Sequence, residues 1–176
     1  MNLENYIRDI PNFPIEWINF KDISPLLSDP IAFKESIDRL AIFLQWADCV
    51  VWLDARGFIF WGALAYKLWI PFIPIRKAGK LPFDTISINY ELEYWKNTFE
   101  IHTDAIKKWD NVSIVDDLLA TGWTALAATQ LVEKLWGNVH SINFVIDLTF
   151  LDWVKKLDGY NINTVSYTHL TLPTTP

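Results

Sequence analysis

The sequence predicts an α/β fold, a mainly parallel twisted sheet flanked by helices, and three observations lead there. Short apolar runs alternate with helical patterns along the chain, the order that builds parallel strands joined by crossover helices. The apolar run 112–115 is followed at once by Asp116 and Asp117, a small-residue turn and another helical pattern, as at the carboxyl end of a strand in an open sheet. A length of 176 residues suits a single domain with a full core.

Taken in order, residues 2–9 read as a short amphipathic helix, and a proline-punctuated loop then runs through Ser24-Pro25. Asp29-Pro30 opens a helix to about residue 44, with Ile31, Phe33, Ile37, Leu40, Ala41 and Leu44 near one face. Residues 49–54 form a buried strand, 58–68 a helix and 71–75 a second strand. The polar stretch 77–100 holds weak strands and reads as a mobile flap. Strand 112–115, helix 125–135 and strand 139–146 complete the alternation.

Composition narrows the chemistry. The net charge is −6, and the 15 Lys and Arg are dispersed except around 76–80, which excludes a broad basic face for nucleic acid. No apolar stretch reaches the roughly 20 residues that span a bilayer, and the N-terminus lacks the basic-then-apolar pattern of a leader. Cys49 is the one cysteine, so an intrachain disulfide is impossible and a core thiol is expected. These features predict a cytoplasmic protein with a small anionic substrate and no nucleic-acid or membrane partner. His102 and His140 are isolated and read as surface or packing residues, and no His/Cys cluster suggests a transition metal.

The segment 112–124 places an anion site beside a diol site. Residues 120–124 form a turn at the start of a helix, whose N–H groups hold a phosphate. Two carboxylates cannot bind that same phosphate, so Asp116 and Asp117 are expected to meet ribose hydroxyls. The ligand class is a sugar phosphate. With one departure, Trp123 for Gly, this segment resembles the phosphoribosyl-pyrophosphate motif of type I phosphoribosyltransferases. Asn12-Phe-Pro, Phe20-Lys-Asp-Ile-Ser-Pro-Leu-Leu27, Ala55-Arg-Gly-Phe58, Arg76-Lys-Ala-Gly-Lys-Leu-Pro82 and Tyr90-Glu-Leu-Glu-Tyr94 resemble adenine phosphoribosyltransferases in order and spacing, from about Tyr6 to about Leu157.

The resemblance implies a small N-terminal hood, the mobile flap, and formation of AMP and pyrophosphate from adenine and 5-phosphoribosyl 1-pyrophosphate. It implies that Asp116 and Asp117 hold the ribose and that Ala120, Thr121, Gly122, Trp123 and Thr124 surround the 5-phosphate. Arg56, Arg76, Lys77 and Lys80 would bind pyrophosphate, with Mg²⁺ carried mainly by that group. Phe20 and Leu148 would sandwich adenine, with Asn19 and Lys21 flanking its hydrogen-bonding edge, although Phe20 also reads as a plain core residue. Glu93 would assist proton movement on the purine and Tyr94 would cover the site, so Arg56, Glu93 and Tyr94 form the catalytic set. A homodimer with Arg56 near its interface is implied as well. The rival readings are a xanthine or hypoxanthine phosphoribosyltransferase, or a non-catalytic regulator that binds phosphoribosyl pyrophosphate.

Two anomalies remain. The chain has 10 Trp and 6 Gly, where Gly alone normally makes up about 7% of residues. Trp17, Trp52, Trp61, Trp69, Trp95, Trp109, Trp123 and Trp136 fall where the resembled family has Gly, and Trp46 and Trp153 fall in turn-like places. This pattern predicts UGA codons that the source cell reads as glycine. An indole at 123 is expected either to enter the phosphate cradle or to strain the turn, leaving the chain inactive. Finally, Val165-Ser-Tyr-Thr-His-Leu-Thr-Leu-Pro-Thr-Thr175 reads as one frame of a transposase-adapter end. One phosphoribosyltransferase domain is therefore expected over 1–164 and a non-native tail over 165–176, with no function for His169.

Overall fold

The computed structural model describes residues 1–53, 58–92, 95–148 and 154–168. Strands β1 (Arg8–Pro11) and β2 (Asn19–Asp22) pair antiparallel in a small sheet of their own. The main sheet has parallel strands β3 (Cys49–Leu53), β4 (Phe72–Lys77), β7 (Asn111–Leu119), β8 (Asn138–Leu148) and β9 (Ile162–Thr168). The antiparallel hairpin of β5 (Thr85–Leu92) and β6 (Trp95–His102) joins it beside β4, giving the order β5-β6-β4-β3-β7-β8-β9. The helices are α1 (Ser24–Ser28), α2 (Pro30–Phe43), α3 (Phe58–Leu68) and α4 (Trp123–Lys134).

Strand β3 is buried along its whole length, as a central parallel strand between two helix layers must be. Its alternate residues enter two cores: Cys49, Val51 and Leu53 join Ala128, Leu131 and Val132 of α4, whereas Val50 and Trp52 join Leu40 of α2 with Phe60 and Leu64 of α3. The expected α/β architecture is therefore present, with α3 at the expected bounds. Helix α2 starts where Asp29 accepts the N–H groups of Ile31 and Ala32, both at 2.9 Å, with Pro30 in the first turn. Its buried face differs from expectation: Ile31 is exposed, and Ala32 and Ser36 are inside.

Other segments differ more. Residues 2–9 form only a 3-10 turn, Leu3–Tyr6, capped by Asn2, because the chain then extends to pair with β2. The expected loop contains β2 and α1, and Asp22 starts α1 by accepting both the N–H (2.9 Å) and the hydroxyl (2.6 Å) of Ser24. The stretch read as weak strands is a regular hairpin, held by Ile86 and Ile88 packing on the α4-side core. Strand β7 continues to Leu119, so both acids lie within it, and α4 starts at Trp123. Strand β9 runs across residue 164 and pairs as far as Thr168 with β8.

A polar ladder crosses the buried sheet. The hydroxyls of Ser113 and Ser141 are 2.9 Å apart, and the Asn143 amide donates to Ser141 Oγ (2.9 Å) and to the Ile114 carbonyl (3.1 Å). Asn163 in turn donates to Asn143 Oδ1 at 3.0 Å. The β7–β8 pairing shifts register between Val112 and Ser113, immediately before this ladder.

Among the described residues, the non-glycine residues with positive φ are Asn12, Trp17, Trp46, Trp69, Trp109 and Trp136. Trp17, Trp46 and Trp109, at φ 74°, 77° and 72°, each occupy the third position of a four-residue turn. Those turns are closed by Ile18 N–H to Ile15 O (3.3 Å), Ala47 N–H to Leu44 O (3.1 Å) and Asp110 N–H to Lys107 O (3.1 Å). That position with positive φ is the glycine position of a type II turn. Trp136 (φ 64°) follows α4 where Trp136 N–H reaches Glu133 O (2.9 Å) and Gly137 N–H reaches Val132 O (3.0 Å), the Schellman pattern. Trp69 (φ 58°) follows α3 in the same way, with Ile70 N–H on Ala65 O at 3.2 Å. By contrast, Trp52 and Trp61 are buried and stacked at 4.7 Å, and Trp61 Nε1 donates to the Val115 carbonyl at 3.1 Å.

Left-handed backbone at a non-glycine residue stores on the order of 1 kcal/mol or more. Replacing Trp17, Trp46, Trp69, Trp109 and Trp136 together by Gly is expected to stabilise the chain by roughly 2–5 kcal/mol, partly offset by the greater freedom of Gly in the unfolded state. Denaturant melts check this, with the five Ala replacements as control: equal stability of the Gly and Ala chains would refute the strain.

Candidate active site at the reversal point of the sheet

From β3 the chain crosses through α3 to β4 on one side, and β7 then lies on the other side of β3. Loops leaving the carboxyl ends of β3 and β7 therefore turn to opposite faces, opening the crevice where such sheets bind ligands. Arg56, Glu93 and Tyr94 lie outside the described residues.

After β7 the structure builds the expected anion cradle. Gly122 takes φ 79° and caps α4 through its backbone, and its carbonyl receives the first helical bond from Leu126 at 2.9 Å. The N–H groups of Trp123, Thr124 and Ala125 consequently have no carbonyl one turn earlier in the helix, and no side chain caps that end. Asp116, Ala120, Thr121, Gly122 and Thr124 line a cleft of about 60 Å³ here, more than one water needs. The helix dipole adds positive potential.

Two local expectations change. The Trp123 side chain lies against Lys156, whose Nζ is 5.0 Å from the ring centre, and its φ is not among the positive ones. The indole is thus not among the residues that line the cleft, and the Trp123 backbone is not in the left-handed region. Asp116 lines the cleft, whereas the Asp117 side chain is buried and its N–H donates to Asp116 Oδ1 at 2.9 Å. Successive strand residues face opposite ways, which separates two acids that are adjacent in sequence.

Strand β4 ends beside β3 with Arg76 and Lys77, followed by a turn carrying Lys80. This basic loop shares the carboxyl edge with Asp116. Glu100 of β6 lies opposite Arg76 and accepts the N–H groups of Lys80 and Leu81, both at 2.9 Å. Burial pushes the Glu100 carboxyl up, but the N–H groups of Leu81, Gly79 and Lys80, with nearby His102, outweigh it and hold the carboxyl below its ordinary value.

The adenine-side residues are more dispersed. Leu148 is buried at the end of β8, on the same edge of the sheet. In β2, Asn19 is exposed, Phe20 is half-buried and meets Phe13 edge-on at 5.3 Å, and the buried Lys21 ammonium pairs with Asp9. Sequence reasoning missed Glu100 and the buried Asp147, which precedes Leu148. An acid inside the apolar run Phe144-Val-Ile-Asp-Leu148 was the available signal for the latter.

No family model matches the chain. Similarity to individual proteins is extensive: the adenine phosphoribosyltransferase of Methanococcus maripaludis is 50% identical over 167 residues, 94% of this chain and 97% of that relative. The chain belongs to the adenine phosphoribosyltransferase family. A Clostridium botulinum adenine phosphoribosyltransferase is likewise 50% identical over 94% of this chain and 97% of its own. Among solved structures, the adenine phosphoribosyltransferase of Thermoanaerobacter pseudethanolicus superposes with a TM-score of 0.90 at 50% identity, covering 94% of this chain and 98% of its own. The Saccharomyces cerevisiae enzyme, solved with an imino-altritol bisphosphate and adenine, gives 0.88 at 41% identity over 93% and 96% of the two chains. The expected fold and family are therefore established.

Asp116→Asn removes the charge that lines the cleft but keeps the side chain's size. A lost charge-assisted hydrogen bond corresponds to about 1.5–3 kcal/mol, so kcat/KM for the phosphoribosyl donor is expected to fall roughly 10- to 100-fold with unchanged thermal stability. Near-normal steady-state kinetics would remove Asp116 from the site.

Proposed function

We propose that the chain transfers the 5-phosphoribosyl group of phosphoribosyl pyrophosphate to adenine, yielding AMP and pyrophosphate. The observation that carries this reading is the cleft joining Asp116 to the uncapped start of α4, with the basic loop of Arg76, Lys77 and Lys80 on the same sheet edge. The α4 N–H groups hold the 5-phosphate, and Asp116 accepts from a ribose hydroxyl, while the Asp117 N–H donates to the Asp116 carboxylate and orients it. The basic loop, with Arg56, receives the departing pyrophosphate. As the bond from the anomeric carbon to pyrophosphate breaks, the new bond to the base nitrogen forms and that nitrogen's proton leaves. Glu93 is assigned to assist this proton movement, and Tyr94 to shield the site from water. Leu148 and Phe20 hold the base, with Asn19 and Lys21 near its edge.

The basic loop of Arg76, Lys77 and Lys80 fits a pyrophosphate that brings its own Mg²⁺, since this ion keeps waters and accepts few protein ligands. When bound it would neutralise charge on the leaving group. A homodimer is part of the proposal, supported by exposed Tyr66, Trp69 and Phe72 on and after α3, around a hollow of about 380 Å³. A cytoplasmic location is also proposed, in keeping with the free, buried Cys49 thiol.

The test is product analysis with Mg²⁺, phosphoribosyl pyrophosphate and each of adenine, hypoxanthine, guanine and xanthine. AMP and pyrophosphate are expected from adenine, and a preference for an oxopurine would sink the reading. Chelation of Mg²⁺ should stop turnover. Light scattering at micromolar concentration should give a dimer, and monomer alone would contradict the proposed assembly.

A further inference from the structure

Glu100 has no part in the roles assigned above, yet it is a buried acid beside a basic loop. Its Oε1 accepts the N–H groups of Lys80 and Leu81, and the Ala78 N–H donates to the Thr98 carbonyl of the same strand at 3.0 Å. Both ends of the turn 78–81 are thus tied to β6, and Gly79 between them takes φ 80°. We propose that Glu100 is the positioning residue of the pyrophosphate loop, an inference that rests on the reading of Arg76, Lys77 and Lys80 as pyrophosphate contacts.

Three consequences follow from the geometry. The amides of residues 80 and 81 point inward to the carboxylate, so the polyanion is met by side chains and not by those N–H groups. With the backbone pinned, Lys80 leaves the loop from a fixed Cα, which lowers the ordering cost when pyrophosphate binds. The carboxylate also opposes repulsion among the three cations while the loop is empty.

The experiment compares the full chain with Glu100→Ala and Glu100→Gln. It measures kcat, KM for each substrate, calorimetric affinity for magnesium pyrophosphate, and hydrogen exchange of the Lys80 and Leu81 amides. Glu100→Ala is expected to weaken pyrophosphate binding and raise the donor KM by roughly tenfold, the effect of losing one or two hydrogen bonds. The adenine KM should stay within about twofold, and the two amides should exchange faster. Glu100→Gln keeps an acceptor oxygen and should recover most of the loss. If the Ala chain does not fold, the Gln chain carries the test through a few-fold loss confined to pyrophosphate and the donor. Unchanged pyrophosphate affinity, or equal losses for donor and adenine, overturns the proposal. Failure of the unsubstituted chain to make AMP would instead refute the functional reading itself.

A separate observation supports a second inference. The described residues with positive φ are glycines, one Asn, and five tryptophans, and Asn is a residue type that tolerates this backbone. Trp17, Trp46 and Trp69 are 91%, 85% and 87% exposed, so packing does not offset their strain. We infer that the source cell places glycine at these five tryptophans, through UGA codons. Sequencing the gene should find UGA at all five, and mass spectrometry of the native protein should find glycine there. UGG codons at the five turn positions, or tryptophan in the native peptides, would overturn it.

Discussion

The site depends on one constraint: β4 and β7 flank β3 on opposite sides, and all three run the same way. Their register is set by apolar residues with a period of two, which commits Val51 to one helix layer and Val50 and Trp52 to the other. Because the crossover through α3 goes one way and the α4 connection begins from the other neighbour, the chain ends diverge above β3. Ligand groups then enter a gap in the covering layers without breaking the sheet. The phosphate cradle, Asp116 and the basic loop all hang from this edge.

Local chemistry was legible in the sequence, and distant pairing was not. The turn 120–122 declared itself because its small residues, its glycine and the following helix lie within a few positions of one another. The limits of α3 were equally plain. Residues 8–11 were misread because a strand forms there only when β2, about ten residues later, supplies its partner. Glu100 was invisible for the same reason: its partners are backbone N–H groups about twenty residues away, which carry no side-chain signature. The position of the Trp123 indole could not be read either, since Lys156, which it lies against, is distant in sequence.

Seven of the ten tryptophans fall into two physical classes. Those in turns are anomalous because of backbone angle, a property independent of what the side chain touches. Trp52 and Trp61 sit in ordinary backbone and are accommodated by stacking and by a bond to the Val115 carbonyl. A reading based on packing alone would therefore accept the second pair and give no reason to question the first five.

The polar ladder of Ser113, Ser141, Asn143 and Asn163 acts as an alignment key for the site. Sliding β8 by one residue past β7 would be tolerable to Val and Ile, which interchange readily against a helix layer. It would strand buried hydroxyl and amide groups without partners, at about 1–3 kcal/mol each. The ladder starts three residues before Asp116, so the same key that excludes a slipped sheet also indexes the height at which the acid emerges. The surrounding aliphatic residues are thereby released to vary in size and shape, and these four polar residues are bound to change, if at all, in concert.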